Sequence, residues 1–131
     1  PVPDDYLVLP EIISKEPLGP AVRRGDDEWF AIVKWVINAL IEAEELGITQ
    51  AKVDELKASP DPAVQRFLGV GEDLGKSLGL ERDWAARAVR AVGNYGEIFN
   101  RNVGADSPLK LPRGLNAQWN KGGILYAPPL R

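Results

Sequence analysis

The chain has 131 residues, 44% hydrophobic and 27% charged, with a net charge of −3. That composition supports one folded core and argues against wholesale disorder, and there is no basic excess of the kind nucleic acid selects. There is no Cys, no His and no Met, which removes disulfides, thiolate metal sites, the commonest general base and any conventional hydrolytic triad.

Tyr6-Leu7-Val8-Leu9 is a short apolar run bounded by Asp4-Asp5 and Pro10, the pattern of a buried strand. Ile12 and Ile13 extend it, and Ser14 to Pro17 is a turn. Leu18 to Arg24 reads as extended. Pro17 and Pro20 have no N–H to give a ladder, so an edge strand or a crossing between lobes fits better than a central strand.

The longest apolar stretch is Asp26 to Leu46, expected as a helix about 31 Å long at 1.5 Å per residue. On a helical wheel Trp29, Val33, Val36 and Leu40 form one line. Phe30, Ile37 and Ile41 flank it on one side, and Ile32, Trp35 and Ala39 on the other. Only Asp27, Lys34, Asn38, Glu42 and Glu45 keep a polar strip, so the helix is expected to be buried over most of its girth. Asp26 caps its start and Gly47 stops it. Lys34 and Asn38 interrupt the run, which is too short for membrane insertion.

A second helix is expected from Thr49 to Ser59, with Val53 and Leu56 inward. A third opens on Asp61-Pro62, with Val64, Phe67 and Leu68 buried and Gly69 as its stop. Asp73 to Leu78 gives at most two turns. A second long helix is expected from Asp83 to Asn102, carrying Trp84, Ala88, Ala91, Tyr95, Ile98 and Phe99 as a stripe. Gly93 and Gly96 lie inside it, where they permit close approach of another backbone or mark a kink; close approach is the preferred reading. Residues 105–131 are rich in Pro and Gly. They form a wrapped tail with one short helix, Leu115 to Asn120, anchored by Trp119. Leu109, Leu111, Ile124, Leu125 and Tyr126 supply its docking surface.

Few groupings suggest chemistry. Gly71-Glu72-Asp73-Leu74-Gly75-Lys76-Ser77 has three residues between its first glycine and the Gly-Lys-Ser where a phosphate loop needs four, and its acids repel phosphate. Glu42, Glu44 and Glu45 are read as a solvated helix end rather than an acid–base pair. Arg82, Arg87, Arg90 and Arg101 are read as packing on the acidic half. Residues 1–65 hold 6 basic and 13 acidic side chains, net −7, and residues 66–131 hold 10 and 6, net +4. The four tryptophans are core anchors by their spacing, with Trp35 at the margin of the apolar arc and free to stack on a neighbouring domain. No catalytic residue, metal ligand or cofactor site is identified.

The strings are more specific than the statistics. LPEIISKEPLGPAVRRGDDEWFAIVKWVINALIEAEELGIT, FLGVGEDLGKSLGL, WAARAVRAVGNYGEIFNRNVG and SPLKLPRGLNAQWNKGGILYAPPLR together closely resemble the periplasmic binding proteins of amino-acid ABC transporters, in their general or polar L-amino-acid branch. The resemblance is to the C-terminal third of such a protein. It implies a two-lobe α/β fold, of which this chain contributes a mainly α part with a short β portion. Residues 1–25 would be the end of the second lobe and the crossing segment. Residues 26–48 would be a helix packing on the first lobe, and 49–131 a helical C-terminal extension with a wrapped tail. The implied function is non-enzymatic delivery of an L-amino acid, in the periplasm, to the permease of an ABC importer, with the ligand-gripping residues upstream. A self-associating helical interaction module is the alternative. Alone, the chain is expected to pair with its missing N-terminal portion or with copies of itself through Trp29, Val33, Val36 and Leu40.

Overall fold

A computed structural model describes residues 5–14 and 16–131. Pro1 to Asp4, and Lys15 of the expected turn, lie outside the described residues. Among the described residues four α-helices carry the fold: α1 (Asp27–Glu45), α2 (Pro62–Phe67), α3 (Trp84–Val92) and α4 (Tyr95–Asn102). Single 3₁₀ turns at Glu55–Ala58, Lys76–Leu78, Gly114–Asn116 and Trp119–Lys121 connect and follow them.

The Asp26 carboxylate starts α1 by accepting from the Trp29 N–H at 3.1 Å. At its end Gly47 takes φ +68°, a left-handed conformation that costs glycine little. This lets the Ile48 N–H reach the Ala43 carbonyl at 2.8 Å and the Gly47 N–H reach Glu44 at 3.2 Å, the paired closure of a Schellman motif. Ile48 is thereby driven into the core. α2 follows the sequence reading closely: Asp61 caps it through Ala63, Pro62 occupies the first turn, and Val64, Phe67 and Leu68 are buried.

The expected helix from Asp83 to Asn102 is two helices. Gly93, at φ +80°, ends α3, and Asn94 opens α4 with a capping box. The Asn94 side chain accepts from the Glu97 N–H at 3.0 Å, and the Glu97 carboxylate accepts from the Asn94 N–H at 2.9 Å. A cap this complete outcompetes helix propensity, so Gly93 marks a break. Neither glycine is approached by another backbone; at Gly96 the neighbours are side chains, and a Cβ there would meet the Glu44 carboxyl carbon at 2.9 Å and an Arg113 nitrogen at 3.1 Å.

α1 packs against α3 and α4, and the core collects Ala39, Ala43, Ile48, Val53, Phe67, Leu68, Trp84 and Val89, closed by Leu130 from the tail. Burial on α1 concentrates in its second half. Val36 and Leu40 pack against the core, but Trp29 and Phe30 are 51% and 53% exposed, so the expected line Trp29–Val33–Val36–Leu40 is only half covered. Trp35, at the margin of the apolar arc, packs on this same core.

Four further expectations are corrected. Tyr6 to Leu9 is not a strand, and among the described residues no strand forms. A strand exists only by exchanging N–H and C=O bonds with a neighbour, and this segment has none. Thr49 to Ser59 forms turns and one 3₁₀ turn rather than an α-helix. Leu115 to Asn120 is split between two 3₁₀ turns, and Trp119 stays half exposed; Gln118 beside it is the buried residue. Of the five tail side chains expected to dock, Leu109, Ile124 and Tyr126 face outward and Leu111 and Leu125 are half-buried, while Ala127 and Leu130 are the buried ones.

Candidate functional site

Two features stand out: a polar clamp at the end of α1 and an apolar surface without a partner. The clamp is built from the three glutamates expected to be solvated, of which Glu45 is exposed and Glu42 and Glu44 are half-buried. The helix dipole makes this end negative, so each carboxylate needs a donor, and the tail supplies one to each. Glu44 is bidentate with Arg113, both contacts 3.0 Å, and the pair is mostly buried. The Arg113 guanidinium also lies over Tyr95 and Phe99, 5.6 and 5.1 Å from the ring centroids. Glu42 accepts from the Leu130 N–H at 3.1 and 3.2 Å. Glu45 accepts from the Trp119 indole N–H at 3.3 Å. The Gln118 amide donates to the Ile41 carbonyl at 3.4 Å.

Burial pushes the Glu42 carboxyl up from 4.5, partly offset by the Leu130 N–H; Glu45 raises it further and Arg66 lowers it. A folded value above the unfolded one means that protonation favours the fold. Glu42's contribution is full below about pH 4.5 and is lost as pH rises through the raised value. At pH 7 its charge is therefore a net cost. Glu42→Gln, whose amide oxygen can still accept from Leu130, is expected to raise the urea midpoint at pH 7, and the difference should close below pH 4. An unchanged midpoint at pH 7 would count against the burial cost.

Of the four arginines expected to pack on the acidic half, Arg90 does so, while Arg87 pairs within its own helix and Arg101 donates to the Val92 carbonyl at 3.0 Å. Arg90 is bidentate with Asp54 at 2.6 and 3.0 Å, and this holds the Asp54 carboxyl well below its usual range. Arg87 pairs with Asp83 one turn back at 2.8 Å. The glycine-rich loop is not a phosphate cradle: the Asp73 carboxylate takes the Lys76 N–H at 3.3 Å. No group of three or more His, Cys, Asp or Glu side chains suited to a metal occurs among the described residues, and none of their helices is long and apolar enough to cross a membrane.

The apolar surface is made by the first described residues, by residues 108–112 and by the exposed part of α1. Tyr6, Leu7, Val8, Leu9, Ile12 and Ile13 are between 64% and 96% exposed. Residues 6–10 face residues 108–112 across an open groove of about 720 Å³ with mainly apolar walls. Pro20 and Val22 meet Phe30, Val33 and Ile37 at a second, smaller concavity. The core-like sequence of α1, 19 residues or about five turns, therefore meets core only in part. Arg113 and Gln118, central to the clamp, were not singled out by sequence reasoning. Three acids at a negative helix end, in the acidic half of an unevenly charged chain, were the signal that a basic partner was due.

No protein-family model matches the chain. It is 66% identical, over 98% of its length, to the general L-amino acid-binding periplasmic protein AapJ of Rhizobium johnstonii. It is 56% identical, over 97%, to the glutamate/glutamine/aspartate/asparagine-binding protein BztA of Rhodobacter capsulatus. The chain spans about 38% of the length of each. An ABC transporter/periplasmic binding protein from Brucella ovis with glutathione bound matches in structure with a TM-score of 0.92 and 56% identity, over 98% of this chain and 41% of that one.

Proposed function

We propose that this chain, which matches part of the periplasmic amino-acid-binding proteins of ABC transporters, is the C-terminal portion of an extracytoplasmic solute-binding protein that delivers L-amino acids to an importer. The likeness across 98% of the chain to AapJ carries the reading. In this role the protein is not an enzyme; it works in the periplasm and hands its ligand to a permease. Residues 1–25 end the second lobe and cross back, residues 26–48 pack on the first lobe, and residues 49–131 are an added helical unit with its tail strapped to α1. The exposed run from Tyr6 to Ile13 supports this division, because the core draws on residues 35–130 and on none before them. The groups that grip the amino acid lie mostly upstream of Pro1.

Calorimetric titration tests this with glutamate, glutamine, aspartate, asparagine and glutathione. The 131-residue chain alone should show no saturable heat at micromolar ligand, whereas the longer product of the same gene should bind at least one of them. Micromolar binding by the short chain would overturn the upstream site; no binding by the long product would overturn the transport reading.

A second reading concerns the isolated chain. With Trp29 and Phe30 open to water, it pairs with a second copy through Trp29, Val33, Val36 and Leu40, or at their margin. Removing an aromatic or aliphatic side chain from water is worth about 1.5–3 kcal/mol. Sedimentation at tens of micromolar should find oligomer, and Trp29→Lys should shift it to monomer. A clean monomer for the parent chain would remove this reading.

A further inference from the structure

The described residues before Asp26 are weakly tied to the rest of the chain. All are exposed except Val22, which is half-buried where it and Pro20 approach Phe30, Val33 and Ile37. The backbone bonds of this arm are local: the Leu18 N–H donates to Glu16 at 2.8 Å, and the Asp26 N–H to the Arg23 carbonyl at 3.3 Å. α1 draws its cap from its own Asp26, and its contribution to the core starts at Trp35. We propose that residues 26–131 are one self-standing folding unit, and that the exposed Arg23-Arg24-Gly25 turn is its protease-sensitive joint, cut first by a trypsin-like endoprotease. Cleavage reads local opening, and this arm has no packing or ladder to lose on opening. Basic residues beyond the turn are better held: Arg90 by Asp54, Arg87 by Asp83 and Arg113 by Glu44. Lys110 is the nearest rival, but the Leu111 N–H that follows it is fixed to the Val103 carbonyl at 2.9 Å. α1 belongs to this unit through Ala39, Ala43 and Ile48 behind it, whatever its exposed half meets, so the division does not rest on the transport reading.

Trypsin is the probe, applied sparingly to the 131-residue chain, with the products weighed by mass spectrometry. Cleavage after Arg23 or Arg24 should be at least about tenfold faster than any cut beyond Gly25. The fragment that begins at Arg24 or Gly25 should persist, and its melting temperature should stay within about 4 °C of the parent's. In the double variant Arg23→Gln with Arg24→Gln, no cut beyond Gly25 should take over on the same time scale. A first cut beyond Gly25, in either chain, overturns the joint. A larger drop in melting temperature, or loss of cooperative melting in the fragment, overturns the self-standing unit.

Discussion

Phe67→Ala is expected to cost about 3–5 kcal/mol, the usual range for emptying a buried aromatic position. Phe67 is 1% exposed and the largest fully buried side chain of the core. It ends α2, a helix of only 6 residues, too short to persist without packing. The turn at Gly69 fixes its neighbours: Gly69 has φ +71°, and a Cβ there would run into the Arg82 carbonyl. That backbone has little room to collapse into the void, which places the cost toward the upper part of the range. The melting temperature should fall by about 10 °C or more for a domain of this size. Phe67→Leu, which keeps most of the volume, should lose less than half as much. If alanine and leucine cost the same, Phe67 does not anchor the core.

How much of this was legible beforehand depends on what each feature needs. α1 and α2 were readable because their signals are local: Asp26 and Asp61 as caps, Pro62 in a first turn, Gly47 and Gly69 as stops. The break at Gly93-Asn94 was also written locally, in Asn94 and Glu97, but the apolar stripe running from Trp84 to Phe99 masked it. Periodicity describes a face, and two helices in sequence can share one. The clamp was less legible, because Arg113 is 69 residues from Glu44 and no local rule pairs them. Trp119 illustrates the same limit: its size pointed to burial, while Gln118 took the buried place because its amide reaches the Ile41 carbonyl. Tyr6 to Leu9 shows the opposite case. Its strand-like pattern is real as a pattern, but a ladder is a property of two segments, and only one of them is present among the described residues.

Arg113→Ala is the second large expected effect, about 1–3 kcal/mol, below the range for fully buried pairs because both side chains keep some contact with water. Most of the loss comes from what stays behind. Glu44 would remain beside Gly96, at the negative end of α1, with its paired donor gone. Arg113 also donates to the Asn116 carbonyl at 2.7 and 3.1 Å, so its removal loosens the first turn of the strap as well. Arg113→Lys should recover only part of the loss, since a single ammonium cannot reproduce the planar fork over Tyr95 and Phe99. Glu44→Gln should be milder than Arg113→Ala, because the amide oxygen can still accept from Arg113 and the guanidinium keeps its two rings and the Asn116 carbonyl. The double variant, Glu44→Gln with Arg113→Ala, should cost less than the two single losses combined; that coupling isolates the pair. Hydrogen exchange separates strap from core: in Arg113→Ala the amides of Asn116, Trp119 and Leu130 should lose protection before those of Val64 and Phe67. Simultaneous loss would mean that the strap and the helices unfold as one unit, and that the clamp is no separate fastening.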